Sequence, residues 1–431
     1  MRSVLSITAA GLAALSFSAH AGEASIGPLL YTAAPAYDPA AGLEGVKRFP
    51  KGAVVVLVSE QGRQPIAPVF YASADPTVSF DGSRILFAGK PAAAGPWEIW
   101  EVSVSGGNPR RVVHCPTDCT HPLYLPDGRI VYTRDSSTGS DLEIAPAAGG
   151  APERLTFAPG RHVAEDVLRD GRILFQSEGE LYAIYPDGTG VESLRCDHGP
   201  RRSDARQISS GDVVFRTVQG LARFTSALAV QTDVAQPNRD SAGPIAEVSA
   251  GRWIVSLRQT HGCFGLYLWT REDNRIVPLE VPAGTNALQP VLVRRRVPPK
   301  QFPSGLVESR KNGNLLCLDA RASKVPIAER VAAVQVYTRD GSGQPVLLGR
   351  QTVAGDGSFY VEVPADRPLR MALVDAAGRT IRAEHGWFWM RPSEQRICVG
   401  CHMGPERAPE NKVPEILLRT IVPEKLLGGM K

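Results

Sequence analysis

The sequence predicts an all-β protein: a β-propeller of six or seven blades, then a small Greek-key or sandwich-like β domain, then a short C-terminal segment that carries a cysteine motif. Three observations carry this. A turn-plus-strand unit recurs at a near-constant period, the period stops near Lys324, and residues 398–402 read Cys-x-x-Cys-His. The unit is PTVSFDGSRILF (76–87), LYLPDGRIVY (123–132), VLRDGRILF (167–175), ISSGDVVF (208–215) and VSAGRWIV (248–255). Each is a polar turn ending in glycine, followed by a short β-branched strand. The turn glycines Gly82, Gly128, Gly171, Gly211 and Gly251 stand 40 to 46 residues apart, a blade-sized period.

The rest of each unit agrees. A second strand follows, as in PWEIWEVSV, SDLEIAPA, GELYAIYP or FGLYLWT, and often a tight turn and a third strand such as PRRVVH or PERLTF. Such strands cannot bury a face alone and must stack radially. A β-sandwich with accidental periodicity explains the repeated order of elements less well. The strand KGAVVVLV (51–58) and a terminal unit around 290–320 bring the blades to six or seven, and the propeller to residues 50–324. Residues 22–49, rich in Ala, Gly and Pro, read as an extended arm. From 325 to 395 the chain reads as hairpin strands joined by Asp-Gly and Ala-Gly turns, the small β domain. Residues 396–431 hold the cysteine motif and a C-terminal strap.

The N-terminus has one early charge, Arg2, a short apolar run and Ala19-His20-Ala21. This is the pattern of a secretory signal peptide over residues 1–21, and it places the mature protein in a bacterial periplasm. No later stretch is long and apolar enough for a membrane span. The 48 basic residues are scattered and nearly matched by 44 acids, so no basic stripe points to nucleic acid. Seven cysteines need an oxidising compartment's accounting. Cys115 and Cys119 can close a small ring within one loop. Cys196 and Cys263 lie in comparable late-blade regions. With Cys317 the set outside the motif is odd, which leaves one thiol free or used between chains.

A c-type haem needs two thiols to bond its vinyl groups and a histidine to swing under the iron. Cys398, Cys401 and His402 provide that spacing. A Cys398–Cys401 disulfide or half a zinc site is the bland alternative, but no cysteine or histidine follows His402 to complete a zinc knuckle. One covalent haem c is therefore expected. The sixth position stays open among His385, Met390, Met371, Met430 and no ligand at all; Met403, beside His402, cannot easily reach the opposite face. In WFWMRP, Trp387 and Trp389 share a strand face, to cover a porphyrin or to fill the domain core. Arg391 and Arg396 flank the motif closely enough to pair with haem propionates, or are solvated.

The repeats resemble the TolB-like, WD40-like propeller family. The stretch from Val334 to the motif, above all DGSFYVEVPAD (356–366) and WFWMRPSEQRICVGCH (387–402), resembles the middle domain and first haem segment of the hydrazine synthase alpha subunit. That resemblance follows the domain order over nearly the whole mature chain. In that family the haem of this segment is catalytic, with iron held by a tyrosine four residues past the motif histidine while the histidine turns toward zinc. Here that position is Glu406, and the chain ends about thirty residues after the motif. Both departures count against hydrazine synthesis and favour ordinary ligation by His402.

The leading expectation is an exported monohaem cytochrome c-like protein passing single electrons to a periplasmic redox partner, with the propeller's central face as docking surface. The alternative is a haem c enzyme with open iron acting on a small nitrogen, sulfur or peroxide substrate. A third is a propeller binding protein with a structural or sensory haem. No propeller residue is assigned a catalytic role.

Overall fold

The computed structural model describes residues 26–46, 49–194, 199–226, 229–235, 237, 239–259, 262–279, 281–323, 326–400 and 412–428. They form an almost all-β molecule of eight four-stranded sheets with two five-residue helices. Residues 29–292 make six antiparallel sheets. Five consist of consecutive strands. In the remaining one, strand Leu29–Ala34 lies between Val54–Ser59 and Asn286–Leu292, joining the start of the region to its end. The stretch expected to be an extended arm therefore carries an inner strand of a sheet. The strands between are buried on both sides, as in Arg84–Lys90, because each sheet is covered by its neighbours.

The first strands of successive sheets pack on one another in order: Ala72–Val78, Cys119–Tyr124, His162–Val167, Ser203–Gln207, Ser241–Ser249, Asn286–Leu292, and then Ala72–Val78 again. Each of the six carries a β-bulge, at Asp75, His121, Glu165, Asp204, Gly243 and Gln289. The bulge residues tie neighbouring sheets together. Gln289 donates from Nε2 to Asp75 Oδ1 at 2.6 Å and accepts from the Asp75 backbone N–H at 3.1 Å. Asp75 Oδ2 accepts from the His121 N–H at 3.2 Å, and Glu165 accepts from the N–H groups of Asp204 and Ala205 at 3.1 and 3.0 Å.

Both ends of this stack are covered. Helix Pro39–Leu43 rests on one end, where Gln176 Nε2 donates to the Leu43 carbonyl at 2.9 Å and Arg161 Nε to that of Gly45 at 3.2 Å. At the other end the segment 293–304 crosses the sheet turns. Arg296 N–H donates to Phe80 O at 2.7 Å, Gln301 Nε2 to Pro126 O at 2.7 Å and Ser304 Oγ to Asp187 Oδ2 at 2.9 Å. The protein's own chain therefore crosses the turns of three sheets at this end.

The turn glycines all have left-handed φ, but they do not have the same work. A Cβ on Gly251 (φ 73°) would meet nothing within 4 Å, whereas one on Gly171 (φ 88°) would collide with the Lys300 carbonyl oxygen of the crossing segment. Gly251→Ala should cost about 1 kcal/mol of backbone strain, and Gly171→Ala about 2–3 kcal/mol because the segment must also shift. Denaturant midpoints of the two variants, side by side, check this.

The other two sheets form a sandwich. One holds Asn312–Cys317 between Gln395–Cys398 and Phe359–Pro364, with Glu424–Lys425 at the edge. The other runs Pro345–Thr352, Ala333–Arg339, Arg370–Val374, Thr380–Ala383. Leu315, Val334, Val336, Phe359, Val361 and Leu373 fill the space between them. The strand expected as a last propeller unit around 290–320 belongs to this sandwich instead, so six sheets precede it. Cys115 and Cys119 are bridged, with Cα atoms 6.2 Å apart. The Cys196–Cys263 pairing lies outside the described residues, since Cys196 is not among them. Among the described residues no helix is long and apolar enough to cross a membrane.

Candidate functional site

Strand Gln395–Cys398 runs parallel to Asn312–Cys317, with Cys398 registered directly against Cys317. Beyond it Gly400 presses on the turn that follows Cys317. A Cβ there would stand 2.7 Å from Ala322 Cβ and 2.9 Å from Asp319 O, so the glycine inside the motif is demanded by packing. Cys401, His402, Met403 and Glu406, with Met430, lie outside the described residues.

Just before this strand the alternation of WFWMRP sorts two cores. Trp387 and Trp389 pack against the propeller-side sheet of residues 162–193, while Met390 is fully buried in the sandwich core. Trp389 meets His162 edge-on at 6.2 Å and donates from Nε1 to Gly188 O at 3.2 Å. Arg391, 8% exposed, donates from Nε to Asp187 O at 3.0 Å and pairs through Nη1 with Asp366 at 2.7 Å. A Cβ on Gly188 would meet the Arg391 side chain at 2.9 Å, so the PDGTG turn of residues 186–190 is the seat of this arginine. Glu394 accepts from the N–H of Gly190 at 3.0 Å and that of Arg391 at 2.7 Å, and binds Arg396 at 2.7 Å. Arg391 and Arg396 therefore both hold carboxylates of this chain.

Between that sheet and the sandwich opens a cleft of about 1820 Å³, large for a small-molecule site. Its walls include Phe175, Tyr182, Trp387 and Phe302, and Cys398, Arg396, Glu384 and His385 open onto it. His385 is exposed, and Met371 lines the cleft, but Met390 does not. His162 also borders the cleft. Its Nδ1 stands 2.9 Å from the Ser140 carbonyl, which can only accept, so Nδ1 carries the proton and burial keeps the ring neutral.

Sequence reasoning missed Glu384 and Cys317 as members of this site. Burial, and then the nearby Cys398 sulfur, push the Glu384 carboxyl up to about 7. The Cys398 thiol is drawn down to about 6, first by a hydrogen bond with the Cys317 thiol, against the opposing effect of burial, and further by a backbone hydrogen bond of Gly400 and the charge of Arg396. A thiol so activated, beside aromatic walls and at the edge of the cleft, is a reachable nucleophile. Because the Glu384 pKa is raised on folding, the stability it confers is complete below its unfolded value of 4.5 and is lost as pH rises through about 7. Glu384→Gln should flatten that slope and gain ~2 kcal/mol at pH 8 after allowance for solvent screening. Urea denaturation at pH 5 and pH 8 measures it.

Comparison with known proteins bears on the same region. Residues 325–403 match the family described as hydrazine synthase alpha subunit middle domain. Hydrazine synthase subunit alpha of Kuenenia stuttgartiensis is 36% identical over 61 residues, which is 14% of this chain and only 8% of that protein's length. The solved Kuenenia stuttgartiensis hydrazine synthase superimposes with a TM-score of 0.80 at 17% identity, over 92% of this chain and 72% of that one. TolB from Acinetobacter baumannii gives a TM-score of 0.46 at 15% identity, over 61% of this chain and 66% of its own. These matches overturn the simple electron-carrier expectation, since the domain that delivers the cysteine motif is related to an enzyme subunit. The fold of nearly the whole chain is shared with the hydrazine synthase structure, and residues 325–403 are a domain related to the middle domain of its alpha subunit.

Proposed function

We propose that this protein is an exported haem c enzyme, acting on a small nitrogen, sulfur or peroxide substrate within a multi-subunit redox assembly. Its six propeller-side sheets form a closed six-bladed ring, and one haem is held by Cys398, Cys401 and His402. The observation that carries this reading is the cleft between the ring and the sandwich, with the activated Cys398 at its edge. Haem bound there would supply an iron position able to bind and polarise such a substrate. The burial of Met390 in the sandwich core supports an open position over ligation by that sulfur. The relation to a hydrazine synthase domain favours an enzyme, and an assembly, over a carrier.

The chain's own residues have definable roles. Glu384, whose carboxyl is pushed up by burial at the Cys398 side of the cleft, can give or take a proton at its carboxyl oxygens. Trp387 and the Phe175–Tyr182 stack, with ring centroids 5.6 Å apart, form an apolar wall that limits water. Arg391 and Glu394 fix the strand that presents Cys398.

The test is the optical spectrum of the full chain matured with the haem-attachment machinery. A high-spin ferric spectrum and a ferrous form shifted by carbon monoxide are expected. A low-spin ferrous spectrum unchanged by the gas, or no covalent haem, would overturn the proposal.

A further inference from the structure

We propose that Cys317 and Cys398 form a disulfide in the haem-free protein, and that this bond holds Cys398 back from haem attachment until it is reduced. The first half stands on the structure alone; the second rests on the haem reading above. The two cysteines are direct partners in the parallel pairing of Asn312–Cys317 with Gln395–Cys398. Registered neighbours in a sheet stand about 4.7–4.9 Å apart and point to the same face, inside the roughly 4.4–6.8 Å Cα span that disulfides bridge. The Leu318 N–H donates to Cys398 O at 2.8 Å, which fixes the register at this rung. Cys317 is 1% exposed in the sandwich core, whereas Cys398 is partly exposed at the cleft. One thiol is thus reachable by an oxidant and the other is placed to resolve.

The chemistry balances with a disulfide oxidant. The Cys398 thiolate attacks one sulfur of the oxidant's disulfide and expels the other as a thiol. Cys317, losing its proton, then attacks the Cys398 sulfur and expels the second thiol. Two protein thiols are oxidised and one disulfide is reduced to two thiols. Thioether formation adds S–H across a vinyl C=C without net oxidation, so it needs the reduced Cys398. The lowered pKa of the Cys398 thiol favours the first attack.

The full haem-free chain is treated with oxidised glutathione, alkylated, digested without reductant and mapped by mass spectrometry. A Cys317–Cys398 linked peptide that disappears with dithiothreitol is expected. Both cysteines alkylated, or Cys398 linked to Cys401 instead, would overturn the disulfide. In a second arm, haem incorporation is followed with and without dithiothreitol. Wild type should gain several-fold with reductant, and Cys317→Ala should load fully without it; an equal gain in both would overturn the gating role. Cys317→Ser, checked for fold by circular dichroism, repeats the arm if the alanine variant fails to fold. Absence of haem from every variant would defeat the haem reading and the gating with it, while the peptide map alone decides the disulfide.

Discussion

Arg391→Ala is expected to remove about 3–5 kcal/mol and to release the sandwich from the sheets it leans on. The side chain is buried and bridges three elements: the Asp187 carbonyl in the 186–190 turn, the Asp366 carboxylate in the sandwich, and the Phe157 ring, 5.0 Å from its guanidinium carbon. Truncation leaves Asp366, whose pKa burial already raises, without its main counter-charge, and leaves a hole where Gly188 had made room. Differential scanning calorimetry should then resolve two transitions in place of one. Arg391→Lys should restore only part of the loss, because an ammonium cannot make the forked contacts of a guanidinium. A single unchanged transition in Arg391→Ala would show that the junction is held elsewhere.

Asp75→Ala is expected to cost about 2–4 kcal/mol, from a buried donor, Gln289 Nε2, and a part-buried one, the His121 N–H, that both lose this acceptor. The loss should be larger than for an alanine substitution at an exposed carboxylate such as Asp273. Asp75→Asn keeps one acceptor and should fall between. Chemical denaturation of the three variants ranks them. Equal midpoints would mean that the bulge contacts are replaceable by water.

The propeller-like sheets were legible because their signal is local and repeated: Asp-Gly turns and β-branched strands at a fixed period. The bulges were equally local yet went unread. Asp75-Pro76, His121-Pro122, Gly243-Pro244 and Gln289-Pro290 recur at matching places in four of the first strands. Proline suits a bulge because no ladder donor is needed there. What could not be read was contact between distant segments. Arg391 looked like a propionate binder from its nearness to the cysteines, but its partners include a turn 204 residues earlier. The strand Leu29–Ala34 hid in an Ala- and Pro-rich stretch because its partner, Asn286–Leu292, lies at the far end of the propeller-like region in sequence. Cys317 carried no sign of its place until the parallel pairing set it beside Cys398. The site was legible in its motif, while its walls, its acid and its second thiol came only with the fold.

The joining of Leu29–Ala34 to Asn286–Leu292 sets a time order on the nascent chain. Thr32 and Gln289, hydrogen-bonded at 2.8 Å, are 257 residues apart, and closing so long a loop costs about 5 kcal/mol of entropy before any contact repays it. The seam must therefore form late and slowly, after the sheets between have assembled from local pairings. Until Asn286 has been synthesised and has arrived, one edge of LLYTAA stays unpaired, an apolar strand open to any passing edge. Folding yield in the cell should thus depend less on the stability of the finished molecule than on how long that edge waits, and on what shields it meanwhile.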